Sequence, residues 1–510
     1  MARQRAKINR CPPWPCFTFA FSFCLPHGPL PACRIKRFFG NISLAVALSL
    51  LVKPGWVVVE SLVQDRIGHV AFGTFTALSS LALILVTLSD MGLTHYSVKR
   101  LAAEPTYLAT HFPTILPLRG LLNGVALLVL LALGRLLGYG GAQLGLLAAI
   151  GAGLLLTQYG QFLRGTFQAH QQFNTDALLS VVEKVLLLAL VLVLLPTGLS
   201  LWAYVGVRLV AAAFTAALLY GLMTYLFGRV RYRWHWGQAR QVVREALPFA
   251  LITLLYGANE RVDMVMLERL ASPVEASYYA GAYRWVDAVM MYVWTLMPLF
   301  FARFAAALHS PSEQQALLWF GQRVVTLPLL LACAFVLFRG ELLFWQFTHS
   351  TPAQLAVMTS CLKILFLNVL IQAFFAIYSA LLNSTHYVGI VSRFVAGSLA
   401  LNVGLNLLLL PHYGALAAAW NTLLCAALVA AGYLWLVHHR AQVAVPWGWL
   451  GRLSLAFGLL CAVWYGLQHL LALPWLLESA LATAAFAGIS LALGLVPLAE
   501  IRAFIRPAKA

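Results

Sequence analysis

Lys53, Arg119, Lys184, Arg208, Arg261, Arg284 and Lys363 stand inside stretches of sequence that are otherwise apolar, as do Glu60, Glu183, Glu260, Asp263 and Asp287. A charge facing lipid at the middle of a bilayer costs on the order of 3 kcal/mol, so such groups pair, reach for the interface or line a cavity. Cations outnumber carboxylates here. An excess of positive charge in an enclosed, poorly hydrated space suits an anionic guest, because the oxygens of a diphosphate replace the hydration those cations give up. Guanidinium meets phosphate oxygens through two parallel hydrogen bonds, whereas lysine offers a point charge. Arg119, Arg261 and Arg284, with Lys53, Lys184 and Lys363, are therefore the candidate binding residues, and Glu60, Glu183, Asp263 and Asp287 the candidates for coupling to a proton or sodium ion.

Spacing refines these candidates. Arg284 and Asp287, three apart on a helix, are placed to pair with each other or to leave Arg284 for a guest. Glu183 and Lys184 are adjacent and point to different faces, so one of them reaches across to another helix. Lys53 and Glu60 share a face beside Pro54 and Gly55, and a broken helix next to charge is a working element of many transporters. Arg119 follows Pro113 and Pro117, and Arg261 lies two residues before Asp263. Tyr279, Tyr283 and Trp285 fall near these charges, either as sugar-stacking platforms or as interface and core residues. The sequence has no HExxH, no carboxylate pair at catalytic spacing and no phosphate-cradling glycine loop, so the expectation is no enzyme, metal or nucleotide cofactor.

The elements that must carry these groups are membrane spans. About fourteen apolar segments approach the roughly 20 residues that cross a bilayer: 41–64, 70–90, 112–134, 143–163, 177–196, 201–227, 247–267, 276–301, 324–346, 355–382, 389–410, 414–437, 453–471 and 475–499. With 62% hydrophobic and 10% charged residues the chain has too little polar surface for a water-soluble globule. Basic residues gather on alternate connections and both tails, most densely from Arg229 to Arg244, while the opposite side receives only Arg66, Arg135, Arg269 and Arg339. Lysine and arginine resist translocation, which places both termini in the cytoplasm. The net charge of +18 resides in short loops with no nucleic-acid-binding module around it, so membrane lipids rather than nucleic acid account for it.

Residues 1–37 are of another kind. Their prolines exclude a span, and Cys11, Cys16, Cys24 and Cys33 lack the paired spacing of a zinc knuckle, so the segment is expected to be a disordered tail or a start codon assigned too early. Cys333, Cys361, Cys425 and Cys461 lie within spans as small packing residues. The remainder repeats itself. Phe72-Gly73-Thr74-Phe75-Thr76-Ala77 corresponds to Ala276-Ser277-Tyr278-Tyr279-Ala280-Gly281, Phe167-Gln168-Ala169 to Leu382-Asn383-Ser384, and Leu194-Leu195-Pro196 to Leu409-Leu410-Pro411. Two groups of six spans entering from the same side make a parallel repeat. The expected division is a six-helix bundle at 38–228, a basic linker at 229–246, a second six-helix bundle at 247–440, and two further spans with a basic tail at 441–510.

Asp65-Arg66-Ile67-Gly68 through Phe75, Ser89-Asp90-Met91-Gly92-Leu93, Arg164-Gly165-Thr166-Phe167-Gln168-Ala169, Arg261-Val262-Asp263 and Ser277 to Arg284 together resemble the bacterial polysaccharide flippases of the multidrug/oligosaccharidyl-lipid/polysaccharide exporter superfamily. The resemblance runs from about residue 40 to the end, with Lys53-Pro54 and Ser277 as departures from the family pattern. It implies an all-α polytopic protein of the bacterial cytoplasmic membrane, with two bundles around a cavity that opens alternately to either side. The implied cargo is a polyprenyl-pyrophosphate-linked oligosaccharide for surface polysaccharide, with a glycan polymerase and export machinery as the partners downstream. Within the same superfamily a lipid II flippase or a cation-coupled drug exporter remains open, although the latter calls for a cavity rich in carboxylates. A membrane glycan polymerase or ligase fits less well, because the longest connection on the translocated side, 339–354, offers mainly Arg339, Glu341 and His349.

Overall fold

The computed structural model describes residues 55–103, 107–170, 172–228, 232–306, 311–383, 388–439, 447–471 and 473–496. Lys53, Pro54 and the tail 1–37 lie outside the described residues. After α1 (55–67) come α2 (His69–Asp90), the short α3 (Leu93–Ala103) and α4 (Tyr107–Thr110), α5 (Phe112–Leu136), α6 (Gly141–Ala169), α7 (Phe173–Leu194), α8 (Leu201–Phe227) and α9 (Trp236–Leu270). Then follow α10 (Pro273–Ala306), α11 (Pro311–Arg339), α12 (Pro352–Asn383), α13 (Val388–His439), α14 (Trp447–Gly466) and α15 (Trp475–Ala492). No strand occurs among the described residues. In lipid every backbone amide must be paired within its own segment, and helices do this residue by residue.

Among the described residues ten helices are long and apolar enough to cross a membrane. Adding the charge-bearing α9 and α10, and counting α13 as two arms, gives thirteen, and the described part of α1 falls where the first expected passage ends. The arms of α13 meet beyond Pro411 at Gly414, whose φ of 55° and ψ of −136° leave the helical region. Glu275 in the first turn of α10 accepts the amide of Ala415 at 2.7 Å and so caps the second arm. A Cβ at Gly414 would meet that carboxylate at 2.4 Å.

The boundaries differ from expectation in one place that matters. The basic linker 229–246 is not all linker, since α9 begins at Trp236 and runs on for 35 residues. Hydropathy detects only the part of a helix that lies in lipid, whereas Gln238, Ala239, Arg240, Gln241 and Arg244 are good helix formers that prolong it into water. These arginines, the start of α9 and the ends of α10 and α13 define what we term the basic end; the α9–α10 connection lies at the far end.

Helices α2 to α8 pack around α6 and α8, while α10, α11 and α13 pack on α12 and α9 packs on α13 and α10, with α2 lying against both α9 and α10 where the sets meet. A Cβ at Gly73 of α2 would fall 1.6 Å from the carbonyl oxygen of Pro273, so only glycine admits this approach. Helices α14 and α15 flank α11, where Trp464 stacks on Phe338 at 6.1 Å and Arg339 grips the buried Glu478 through two bonds of 2.8 and 2.7 Å.

Candidate functional site

The charges meet first where the two sets of helices touch. Glu60, Ser61 and Gln64 share one face of α1, and Tyr204 and Arg208, four apart, share one face of α8. Arg284 of α10 donates to Ser61 Oγ at 2.7 Å and Gln64 Oε1 at 3.0 Å, and its Nε lies 3.4 Å from Glu60. Arg208 reaches the same carboxylate at 3.4 Å and donates to the Tyr204 hydroxyl at 2.9 Å. Phe72 lies beneath the Arg284 guanidinium at 5.0 Å, and Trp56 and Phe75 beside that of Arg208 at 5.5 and 5.4 Å. One carboxylate thus faces two guanidinium groups, with a net positive charge at the seam.

The expected alternative of an Arg284 pair with Asp287 is corrected by this geometry. Asp287, one turn along α10, turns to α9 and accepts from Arg261 at 3.1 Å, while Arg261 also lies over the Tyr283 ring at 5.6 Å. Burial explains the choice: Arg284 is 7% exposed and α1 offers it three acceptors, whereas Arg261 and Asp287 keep about a quarter of their side-chain surface exposed.

A cavity of about 660 Å³ opens within the second set, lined from α9, α10, α12 and α13. Its charged lining is acidic, Glu260, Asp263 and Asp287, and it continues past Trp294 and Phe301 towards Tyr433 near the basic end. The expectation that one cavity gathers the cations therefore fails for this one. Asp263 is 3% exposed and accepts from Asn406 at 2.7 Å, Thr422 at 2.9 Å and Tyr279 at 3.2 Å. Asn406 also donates to Asn402 at 2.8 Å and accepts from Asn421 at 2.9 Å. This oxygen-rich knot holds a carboxylate without a neighbouring guanidinium. Tyr279 takes the core place of its two expected ones, buried with its hydroxyl committed to Asp263 and Thr422.

The other candidates are scattered. Arg119 of α5 is fully enclosed, with Asp90 at 2.8 Å and the carbonyl of Ser89 at 2.8 Å, so it braces the end of α2 and shares no partner with Arg261 or Arg284. Glu183 of α7 accepts from Thr157 of α6 at 2.9 Å, which is the cross-helix reach expected of one of the pair, while Lys184 is exposed. Lys363 is half-buried on α12. Lys53 lies outside the described residues.

At the far end a second polar network ties α1 and α2 to α10 and the α11–α12 connection. The Asp65 carboxylate accepts from the amide and hydroxyl of Thr348 at 3.0 and 3.1 Å, the amide of His349 at 3.1 Å and its Nδ1 at 2.7 Å, and Ser350 Oγ at 3.4 Å. Gln64 donates to the carbonyl and hydroxyl oxygens of Ser277, both at 2.9 Å, and His69 bridges Ser277 and Ser350 at 3.0 Å each. Burial raises the Asp65 carboxyl, but the bonds from His349 and Thr348 outweigh it and hold the group below the usual carboxylate range. Asn402, Asn406, Thr422, Gln64, Ser277 and Tyr204 were not among the sequence candidates; amides four apart inside an apolar span, as at 402 and 406, were the available signal.

The architecture has known counterparts. It is similar to a lipid II flippase, MurJ, in an inward closed conformation (TM-score 0.66, 11% identity, covering 86% of this chain and 98% of the other). It is also similar to an inward-facing multidrug resistance MATE family transporter of the MOP superfamily (TM-score 0.62, 15% identity, 75% and 93% covered). A third likeness is to a MOP superfamily transporter from Pyrococcus furiosus (TM-score 0.52, 16% identity, 79% and 94% covered). No curated protein matches the chain. At these identities the likeness establishes the fold. Residues 41–302 match the family described as Polysaccharide biosynthesis protein, and with over half its length so matched, on an all-helical fold rich in membrane-spanning helices, the chain belongs to that family.

Proposed function

We propose that this protein flips a polyprenyl-pyrophosphate-linked oligosaccharide across the bacterial cytoplasmic membrane by alternating access, with the basic end in the cytoplasm. The observation that carries the reading is the seam between the bundles, where Arg208 and Arg284 share the single carboxylate of Glu60. Separation of the bundles divides that trio, since Glu60 and Arg208 belong to one set and Arg284 to the other. A diphosphate entering the seam offers both guanidinium groups better acceptors than a shared carboxylate at 3.4 Å, and the family's link to polysaccharide points to the glycan that follows.

Asp263 is the coupling group in this reading. A buried carboxylate that accepts from one amide N–H and two hydroxyls, with no guanidinium beside it, carries a charge that an incoming proton or sodium ion would neutralise. Its place on the cavity wall lets that event alter the packing of α9, α10 and α13.

The acidic cavity supports a second reading, export of cationic compounds coupled to an ion, because Glu260 and Asp287 beside Asp263 suit a positive guest. Purified protein in liposomes separates the two. Transfer of a labelled undecaprenyl-pyrophosphate oligosaccharide to the opposite leaflet, with no efflux of ethidium, supports the flippase. Ethidium efflux without lipid transfer replaces it with the exporter, and transfer of lipid II alone narrows the cargo to a peptidoglycan precursor.

A further inference from the structure

The far end is held by a contact whose partners come from opposite sides of the seam. Asp65 closes α1, while Thr348, His349 and Ser350 lie on the connection that leads into α12. Two backbone amides, two hydroxyls and an imidazole converge on one carboxylate, an arrangement that resembles the donor set offered to anions by a backbone nest. The acceptor is part of the protein itself. His69 and Gln64 extend the contact to Ser277, and Phe347 stacks on the His69 ring at 6.3 Å, so the polar contact has an apolar backing.

We infer that Asp65 and residues 348–350 form a latch that keeps the far end shut, and that its release is a required step before the bundles part on that side. This rests on the alternating-access reading. The latch is sharp because its donors share one acceptor. Once Asp65 withdraws, the amides of Thr348 and His349 lose their partner together, and only water or an incoming anion satisfies them. Asp65 is nearly enclosed, whereas the His349 side chain is 64% exposed, so solvent reaches the latch from the outer rim. The Gly73–Pro273 approach lies on the same end, and the two together close it by hydrogen bonds at the rim and backbone contact beneath.

Hydrogen–deuterium exchange on the full chain in nanodiscs tests the inference without assuming any cargo. In Asp65→Ala the amides of residues 345–352 should exchange at least tenfold faster, and peptides at the basic end, residues 232–240 and 426–439, should exchange more slowly as that end closes. In His349→Ala, which removes an exposed ring and no core, both changes should appear with smaller size. Faster exchange at 345–352 with the basic end unchanged in both variants would make the contact a local brace and overturn the latch. Unchanged exchange at 345–352 would overturn it outright. Neither outcome bears on whether the liposome assay finds lipid transfer, so failure of the latch and failure of the proposed cargo are separately visible.

Discussion

Arg284→Ala probes the proposed cargo site most directly, and the structure sets its size. Arg284 is 7% exposed and makes hydrogen bonds of 2.7 and 3.0 Å besides the 3.4 Å ion pair. Stripping one partner from a buried pair costs about 3–5 kcal/mol when the other charge is left alone. Glu60 is not left alone, because Arg208 stays at 3.4 Å, so the structural loss should fall near 2 kcal/mol, chiefly from stranding Ser61 and Gln64. If the guanidinium also takes the diphosphate as the bundles part, a further interaction of about 3 kcal/mol is lost only in transit, which lowers the flipping rate by roughly 100-fold. The assay is surface glycan per unit of membrane-inserted protein, read beside the detergent melting temperature. Arg284→Met combined with Glu60→Gln separates the roles, because it removes both charges while keeping their volume. It should restore none of the export and only part of the stability, because Arg208 then loses the carboxylate it faces at 3.4 Å. Full export from the double variant would refute the cargo role of Arg284 and leave it a brace for Glu60. Asp287→Ala is no substitute as a control, since its partner is Arg261.

Other outcomes follow from the same contacts. Asp263→Asn keeps the shape of the knot but removes its charge, so lipid transfer in liposomes should lose its dependence on an imposed proton or sodium gradient; dependence equal to wild type would free Asp263 of that role. Gly73→Ala forces α2 from Pro273 and should destabilise the protein by about 1–3 kcal/mol, with faster exchange at residues 345–352; an unchanged melting temperature would contradict the close approach. Arg339→Ala strands the fully buried Glu478 and should cost about 3–5 kcal/mol, and Arg339→Ala with Glu478→Ala should recover part of it, as thermal unfolding would report. Because Asp65 titrates below the usual carboxylate range, its contribution to far-end closure is complete above that range and lost only as pH falls through the lowered value. Arg66, His69 and His349 lie around it, and with the Asp65 carboxyl held low the protection factors of residues 345–352, which remove the intrinsic pH dependence of amide exchange, should be the same at pH 8 and pH 5; loss of protection by pH 5 would contradict the hydrogen-bond account.

The membrane passages and their repeat were legible because apolar length and the placement of arginine act locally along the chain. The charged residues were legible too, since a charge amid apolar neighbours is conspicuous. Their partners were not. Arg284 and Asp287 sit three apart, and nothing in that spacing reveals that α1 presents Glu60, Ser61 and Gln64 across the seam. Arg119 looked like the other arginines in sequence, yet Asp90 at the end of α2 takes it out of their company. The Asp263 knot escaped notice because Asn402, Asn406 and Thr422 carry no charge, and uncharged amides in a span weigh little in any count of hydropathy.

The pair of Arg339 and Glu478 has a consequence for the order in which the protein is made. The partners are 139 residues apart, one at the end of the ninth passage and the other at the start of the last. At about 5–20 residues per second, Arg339 spends on the order of 10 s in the membrane before Glu478 is synthesised. During that interval its guanidinium has only the nearby rim and Glu341 to turn to. Arrival of the final hairpin brings Glu478 to Arg339, so the appended helices act as a closing stitch in assembly.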